Sequence, residues 1–192
     1  GEPRLFLYKE SGVFNDPLFP EINWVNYSCF DKDGWSKCNA VSDKINIALF
    51  HGSIVGCQTD GGFRMMGGEE NVNTFHDYDY VLLGDIHKAQ FLSDRRSDEG
   101  ADKPWIGYPG SLIQQNFGEE TTKGFLVWEI RGKNSWDVRF QEVPNYQPFL
   151  TMAWQGNIEK TTLEFEKTLG TGFLPGARYR ISSVQNISEV ER

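Results

Sequence analysis

The sequence is short of sulfur, histidine and positive charge, and each shortage excludes something. Its three cysteines, Cys29, Cys38 and Cys57, are odd in number and match no CxxC spacing, which argues against a thiolate metal centre and against a disulfide-stapled scaffold. Three reduced thiols are expected, Cys29 and Cys57 packed within apolar stretches, with a Cys29–Cys38 disulfide around the Asp-Lys-Asp-Gly-Trp turn as the alternative. No run approaches the roughly eighteen apolar residues of a membrane helix, and the first ten residues hold no basic segment followed by an apolar core, so the expectation is a cytoplasmic protein with no membrane contact. Nineteen Lys and Arg against 27 Asp and Glu give a net charge of −8. Such a chain has no generic basic face for phosphates, and any nucleic acid it handles must be held by a local cation, a metal ion or a partner.

What is present is the material of a packed domain. Of 192 residues, 39% are hydrophobic and 14% aromatic, with six tryptophans and only 24% charged, which excludes a disordered chain. The length suits one domain or a domain with a short appendage.

The chain reads as strands separated by turns. Residues 22–30, 44–50 and 78–83 form apolar, β-branched and aromatic runs, and 105–111, 124–130 and 136–143 supply three more strands, the last alternating apolar and polar. The glycine-rich stretch from Gly52 through Gly68 reads as a working loop rather than a packed element, and the charged stretch 93–103 as an exposed loop. Prolines 144 and 148 and Gly156 mark a connector, 159–169 a short helix with Leu163, Phe165 and Leu169 on its apolar side, and 177–184 a further strand. A boundary is placed near residue 150, giving units 1–150 and 151–192. The fold class is α/β in the broad α+β sense: a strand-rich half-sandwich whose tail either begins a second, small α/β module or packs back on the first unit.

Only three histidines occur, and two follow expected strands. His51 sits in Leu-Phe-His-Gly-Ser and His87 in Leu-Leu-Gly-Asp-Ile-His-Lys. Strand ends leading into glycine turns are where ligands are held, because the strand fixes the position and glycine lets atoms approach closely. Asp85 and His87, two apart in an extended segment, can point into one pocket while Ile86 packs away. Carboxylate and imidazole together suit manganese, iron or zinc; the plainer reading is a turn in which Asp85 caps the backbone and His87 is solvated. His76, among acidic neighbours, reads as a surface residue. Lys88 is placed to meet a phosphate, and the turn at Pro109-Gly110 frees the Ser111 hydroxyl to face the same pocket.

Taken in order, Leu-Phe-His-Gly-Ser, Tyr-Asp-Tyr-Val-Leu-Leu-Gly-Asp-Ile-His-Lys and Trp-Ile-Gly-Tyr-Pro-Gly-Ser-Leu-Ile-Gln-Gln-Asn-Phe-Gly-Glu-Glu, followed by Lys-Gly-Phe-Leu-Val-Trp-Glu-Ile, resemble the second half of the calcineurin-like metallophosphoesterase domain, above all the nuclease subunit of SbcCD-type DNA repair exonucleases. His51 matches the family's fourth motif. Gly84-Asp85-Ile86-His87 matches its Gly-His-x-His, with aspartate in place of the first histidine, and Tyr108 to Ser111 match its Tyr-x-Gly-Ser strand exit. The likeness covers roughly residues 44–130, with a weaker one to a DNA-capping module beyond 150. The resemblance implies half of a metallophosphoesterase β-sandwich and hydrolysis of DNA phosphodiesters by a site holding two Mn²⁺ ions. It implies metal ligands His51, Asp85 and His87, substrate contacts at Lys88, Tyr108 and Ser111, and as partners DNA, an SbcC-type coiled-coil ATPase subunit and a second copy of the intact protein. The family's Asp-x-His, Gly-Asp-x-x-Asp and Gly-Asn-His-Asp motifs do not occur upstream, so the chain is expected to carry part of the centre and little activity of its own. The competing readings are a non-catalytic scaffold of the same fold, a phosphoesterase for small substrates, and an unrelated β-sandwich whose Trp24, Trp35, Trp105 and Trp154 form a ligand face.

Overall fold

A computed structural model describes residues 7–68, 70–170 and 174–183. Its centre is a six-stranded mixed sheet of order β1-β2-β3-β4-β6-β5, formed by β1 (Gly12–Phe14), β2 (Ile22–Tyr27), β3 (Ile45–His51), β4 (Tyr80–Gly84), β5 (Gln90–Arg96) and β6 (Asp102–Tyr108). Strands β2, β3, β4 and β6 run parallel, and β1 and β5 close the two edges antiparallel. The parallel centre explains the near-continuous apolar runs there: Val25, Ile47, Ala48, Val81 and Ile106 are essentially inaccessible, as strands covered on both faces require. Strand-rich, with one α-helix among the described residues, the chain belongs to the α+β class.

Two layers cover the sheet. On one side Tyr27, Trp35, Phe50 and Phe75 meet edge to face or tilted, with ring centroids 5.2–5.8 Å apart, a favoured aromatic geometry. On the other, the hairpin of β7 (Lys123–Gly132) and β8 (Ser135–Val143) brings Trp128 and Trp136 onto Tyr80. A buried polar peg fixes the starts of β2 and β3: Asn23 Nδ2 donates to Asn46 Oδ1 at 2.9 Å, and the Asn46 backbone N–H donates to Asp79 at 2.7 Å.

After the hairpin, β9 (Phe149–Ala153), α1 (Ile158–Leu169) and β10 (Arg178–Ser182) form a parallel βαβ unit. The helix starts where Asn157 caps the Lys160 N–H and stops at Gly170, whose φ of 69° is the left-handed conformation of a helix end. Gln114 ties this unit to the main sheet by accepting from the Phe149 N–H and donating to its carbonyl.

Several expectations are corrected. Residues 93–96 are not loop but the second half of β5, and β6 starts at Asp102; a charged edge strand reads as loop because charge is how edges are kept from pairing with other chains. Pro104 sits in β6 opposite Asp94 of β5, before the point where β4 joins the ladder at Ile106 and Gly107. Cys29 is exposed, because β2 ends at Tyr27 and the chain turns; Cys38 is buried instead, its thiol 3.3 Å from the Asn26 carbonyl, and all three thiols are free. Trp105 is buried and Trp24 and Trp35 pack against the core, so the four tryptophans form no common ligand face. Residues 1–6, 184 and 185–192, included in the readings of the leader, the last strand and the second unit, lie outside the described residues.

Candidate metal centre

Four parallel strands place their carboxyl ends, at Tyr27, His51, Gly84 and Tyr108, on one edge of the sheet, the edge where open parallel sheets bind ligands. This is how residues far apart in sequence converge. His51 is paired with Gly84, and the Gly52 N–H extends the ladder to the Gly84 carbonyl at 3.3 Å. The imidazole lies directly over residue 84: a Cβ there would stand 2.7 Å from His51 Nδ1, so a side chain at 84 would displace the ring. From that position His51 Nε2 reaches to 3.9 Å from Asp85 Oδ1. Asp85 has a φ of 89°, unusual for any residue but glycine, and the strain accompanies a carboxylate aimed back toward the imidazole.

Asp85, Ile86 and His87 line a cleft of about 350 Å³ together with Thr59, Asp60, Gly61, Asn116, Gly118 and Glu119. His51 stands at a second hollow of about 450 Å³ with Tyr8, Tyr27, Cys29 and Phe30. Its side chain is 74% exposed and that of Asp85 48%, so this end of the site lies open.

At the other end the His87 side chain is 41% exposed, but the charged groups behind it are buried. Lys123, 2% exposed, pairs with Asp60 at 2.7 Å and Glu119 at 3.1 Å, and donates to the His87 carbonyl at 3.2 Å. Glu119 accepts from His87 Nδ1 at 3.1 Å. Burial alone would raise the Glu119 pKa, but hydrogen bonds from His87, the Gln115 N–H and Lys123 outweigh it and hold the carboxyl below its ordinary range. None of these three charged residues was singled out in the sequence. Asp60 lies in the glycine-rich loop and Glu119 and Lys123 in a polar stretch; the one available sign was the opposite charge of Glu119 and Lys123 four apart, which outside a helix carries little weight.

The remaining sequence candidates fall as follows. Lys88 is paired with Glu120 at 2.7 Å, which raises the lysine's pKa through that hydrogen bond. Tyr108 is fully buried, its hydroxyl donating to the Gly52 carbonyl at 2.8 Å and accepting from the Ile54 N–H at 3.1 Å, so it pins the start of the loop after His51. The Ser111 N–H donates to the His87 carbonyl at 3.1 Å, while its Oγ is buried without a hydrogen-bond partner among the described residues. The glycine-rich stretch is more ordered than a free loop: Ile54 and Cys57 are buried, Gln58 bridges to Arg64, and the Gln90 side chain clamps the Gln58 backbone at 2.7 and 2.8 Å.

The donor set fits a divalent ion in part. His51 Nε2 and Asp85 Oδ1 are spaced so that one ion at ordinary bond lengths of about 2.0–2.2 Å can bridge them. Among the described residues, no three His, Cys, Asp or Glu side chains are grouped to hold a metal ion.

No family model matches the chain. It is 35% identical over 141 residues to uncharacterized protein R555 of Acanthamoeba polyphaga mimivirus, a match covering 69% of this chain and 10% of the viral protein. The chain thus spans about a tenth of the length of the curated relative it matches. No helix of the described residues is long and apolar enough to cross a membrane.

Proposed function

We propose that the chain contributes one side of the divalent-metal centre of a phosphodiester-cleaving enzyme, of the calcineurin-like type used by DNA repair exonucleases. The observation that carries this is the convergence of His51 and Asp85, 3.9 Å apart at the ends of adjacent parallel strands, beside a cleft that His87 also lines. His51 and Asp85 are read as donors to one Mn²⁺ and His87 as a donor to the other. When bound, such ions supply the charge that polarises a phosphate and activates water. The protein's own part is to fix donor positions: β3 and β4 set His51 against Asp85, and the buried Lys123 cluster holds His87.

The finer assignments belong to this reading. The six-stranded sheet with its flanking hairpin is the second half of a metallophosphoesterase sandwich, the βαβ unit the start of a DNA-capping module, and the partners are DNA, an SbcC-type ATPase and a second copy, in the cytoplasm. With two donors for one ion and one for the other, the chain alone cannot complete a two-metal site. The purified chain is therefore expected to bind Mn²⁺ weakly through His51 and Asp85, to lose that binding in His51→Ala and Asp85→Asn, and to cleave DNA negligibly. Robust cleavage by the chain free of contaminating nuclease contradicts the partial-site reading.

Aspartate at position 85 and the lack of a three-donor group among the described residues favour one second reading, a scaffold of the same fold that binds a partner and no metal. Calorimetric titration with Mn²⁺ separates the two: heat that disappears in both variants supports the metal centre, and no heat in the unsubstituted chain supports the scaffold.

A further inference from the structure

Glu119 lies near the end of one of the segments quoted above without a role assigned to it, yet it is the most constrained carboxylate at the site. Its Oε1 accepts from His87 Nδ1 at 3.1 Å and Asn116 Nδ2 at 2.9 Å, and its Oε2 from the Gln115 N–H at 3.0 Å and Lys123 Nζ at 3.1 Å. With four donors on two oxygens and only 6% exposure, the carboxylate cannot rotate away. Behind it Lys123 is tied to Asp60, and Lys123 and the Ser111 N–H both hold the carbonyl of His87 itself. One cluster therefore fixes both the backbone and the ring of a single histidine.

A carboxylate only accepts, so the Glu119 contact requires the proton on His87 Nδ1, and a neutral ring then carries none on Nε2. The cluster's two carboxylates against one lysine also leave net negative charge behind the ring, which makes Nε2 a stronger donor atom. Carboxylate behind imidazole behind metal is a general way to orient a ligand.

We propose that Glu119 is a positioning residue for His87, holding the ring's Nδ1 proton so that an unprotonated Nε2 is presented to the cleft. The significance of that presentation rests on the metal-centre reading above; the tautomer itself does not.

The test is a long-range proton–nitrogen correlation spectrum of the full chain labelled with ¹⁵N-histidine, free of metal, at a pH above the imidazole range. In the unsubstituted chain His87 is expected as the Nδ1–H tautomer by about tenfold or more, the preference a charge-assisted hydrogen bond supports. Glu119→Ala is expected to bring the two tautomers of His87 to comparable populations while leaving His76 unchanged, and Glu119→Gln to give an intermediate ratio. An Nε2–H ring in the unsubstituted chain overturns the proposal even if the variants fail to fold, and so does an unchanged ratio in a folded Glu119→Ala. Adding Mn²⁺ alone separates the two claims. An Nδ1–H ring in a chain that binds no Mn²⁺ overturns the metal reading and supports the positioning role; Mn²⁺ binding with an Nε2–H ring does the reverse.

Discussion

The two histidines of the site are held in opposite ways. His87 is anchored by a buried cluster of Lys123, Asp60 and Glu119, each 6% exposed or less, whereas His51 and Asp85, 3.9 Å apart, stand 74% and 48% exposed. The contrast teaches that the fold organises one half of the site before any ligand arrives and leaves the other half able to adjust. Preorganised donors bind without reorganisation, and open ones can accept a ligand from elsewhere.

The sharpest way to break the contrast is to remove the anchor. Lys123→Met leaves two carboxylates buried without their cation, and chemical denaturation should show a loss of about 3–5 kcal/mol. A loss under about 1 kcal/mol would mean the cluster is not closed to water.

Paired glycine substitutions test the two ends directly. At Gly110, with φ 79°, a Cβ would meet the His87 carbonyl at 2.8 Å and the Ala89 nitrogen at 2.9 Å, both backbone atoms that cannot swing aside. Gly110→Ala should destabilise the chain by about 2–4 kcal/mol. At Gly84 the clash is with the exposed His51 ring, which can move. Gly84→Ala should then cost about 1 kcal/mol or less in stability while disturbing the His51–Asp85 spacing and, on the proposed metal reading, weakening Mn²⁺ binding. Equal stability losses at the two glycines would erase the distinction between a locked and an open end.

Alkaline pH probes the core beneath both ends. Burial pushes the phenols of Tyr27, Tyr78, Tyr80 and Tyr108 up from their ordinary range. The folded chain keeps protons that the unfolded chain releases, so this stabilisation is complete below about pH 10 and is lost as pH rises further. Unfolding free energy measured against pH should fall above that point. Tyr108→Phe should flatten part of the fall and cost about 1–3 kcal/mol at neutral pH by orphaning the Gly52 and Ile54 backbone groups.

The smallest effect has the opposite sign. Asp85→Gly removes the positive-φ strain and should stabilise the chain by roughly 1 kcal/mol, as read from the melting temperature, while removing the donor carboxylate. A destabilised Asp85→Gly would show that the carboxylate supports the turn rather than waits for a ligand.

Much of the central sheet was legible because buried parallel strands leave long apolar runs: β2, β3, β4 and the hairpin fall within a few residues of where the pattern puts them. The short edge strand β1 and the half-exposed β9 carry no such run, and β5 is disguised by the charge that protects its edge. Of the residues proposed as donors, the sequence marks His51 as a strand exit before Gly52 and Asp85 and His87 as residues just after Gly84 at the end of β4. Asp60, Glu119 and Lys123 carry no such mark, because Asp60 meets its lysine across 63 residues and Glu119 meets its histidine across 32. A buried ion pair between a loop and the first residue of a strand leaves no periodicity; it exists only once the sheet has folded.

The most direct test of the shared site is paramagnetic broadening by Mn²⁺ in a ¹⁵N-labelled chain. Sub-stoichiometric Mn²⁺ should broaden the signals of residues 51, 52 and 84–87 first and leave those of His76 and the βαβ unit sharp. Broadening centred anywhere else, or none at concentrations that saturate the chain's binding, would contradict the convergence of His51, Asp85 and His87 on one metal centre.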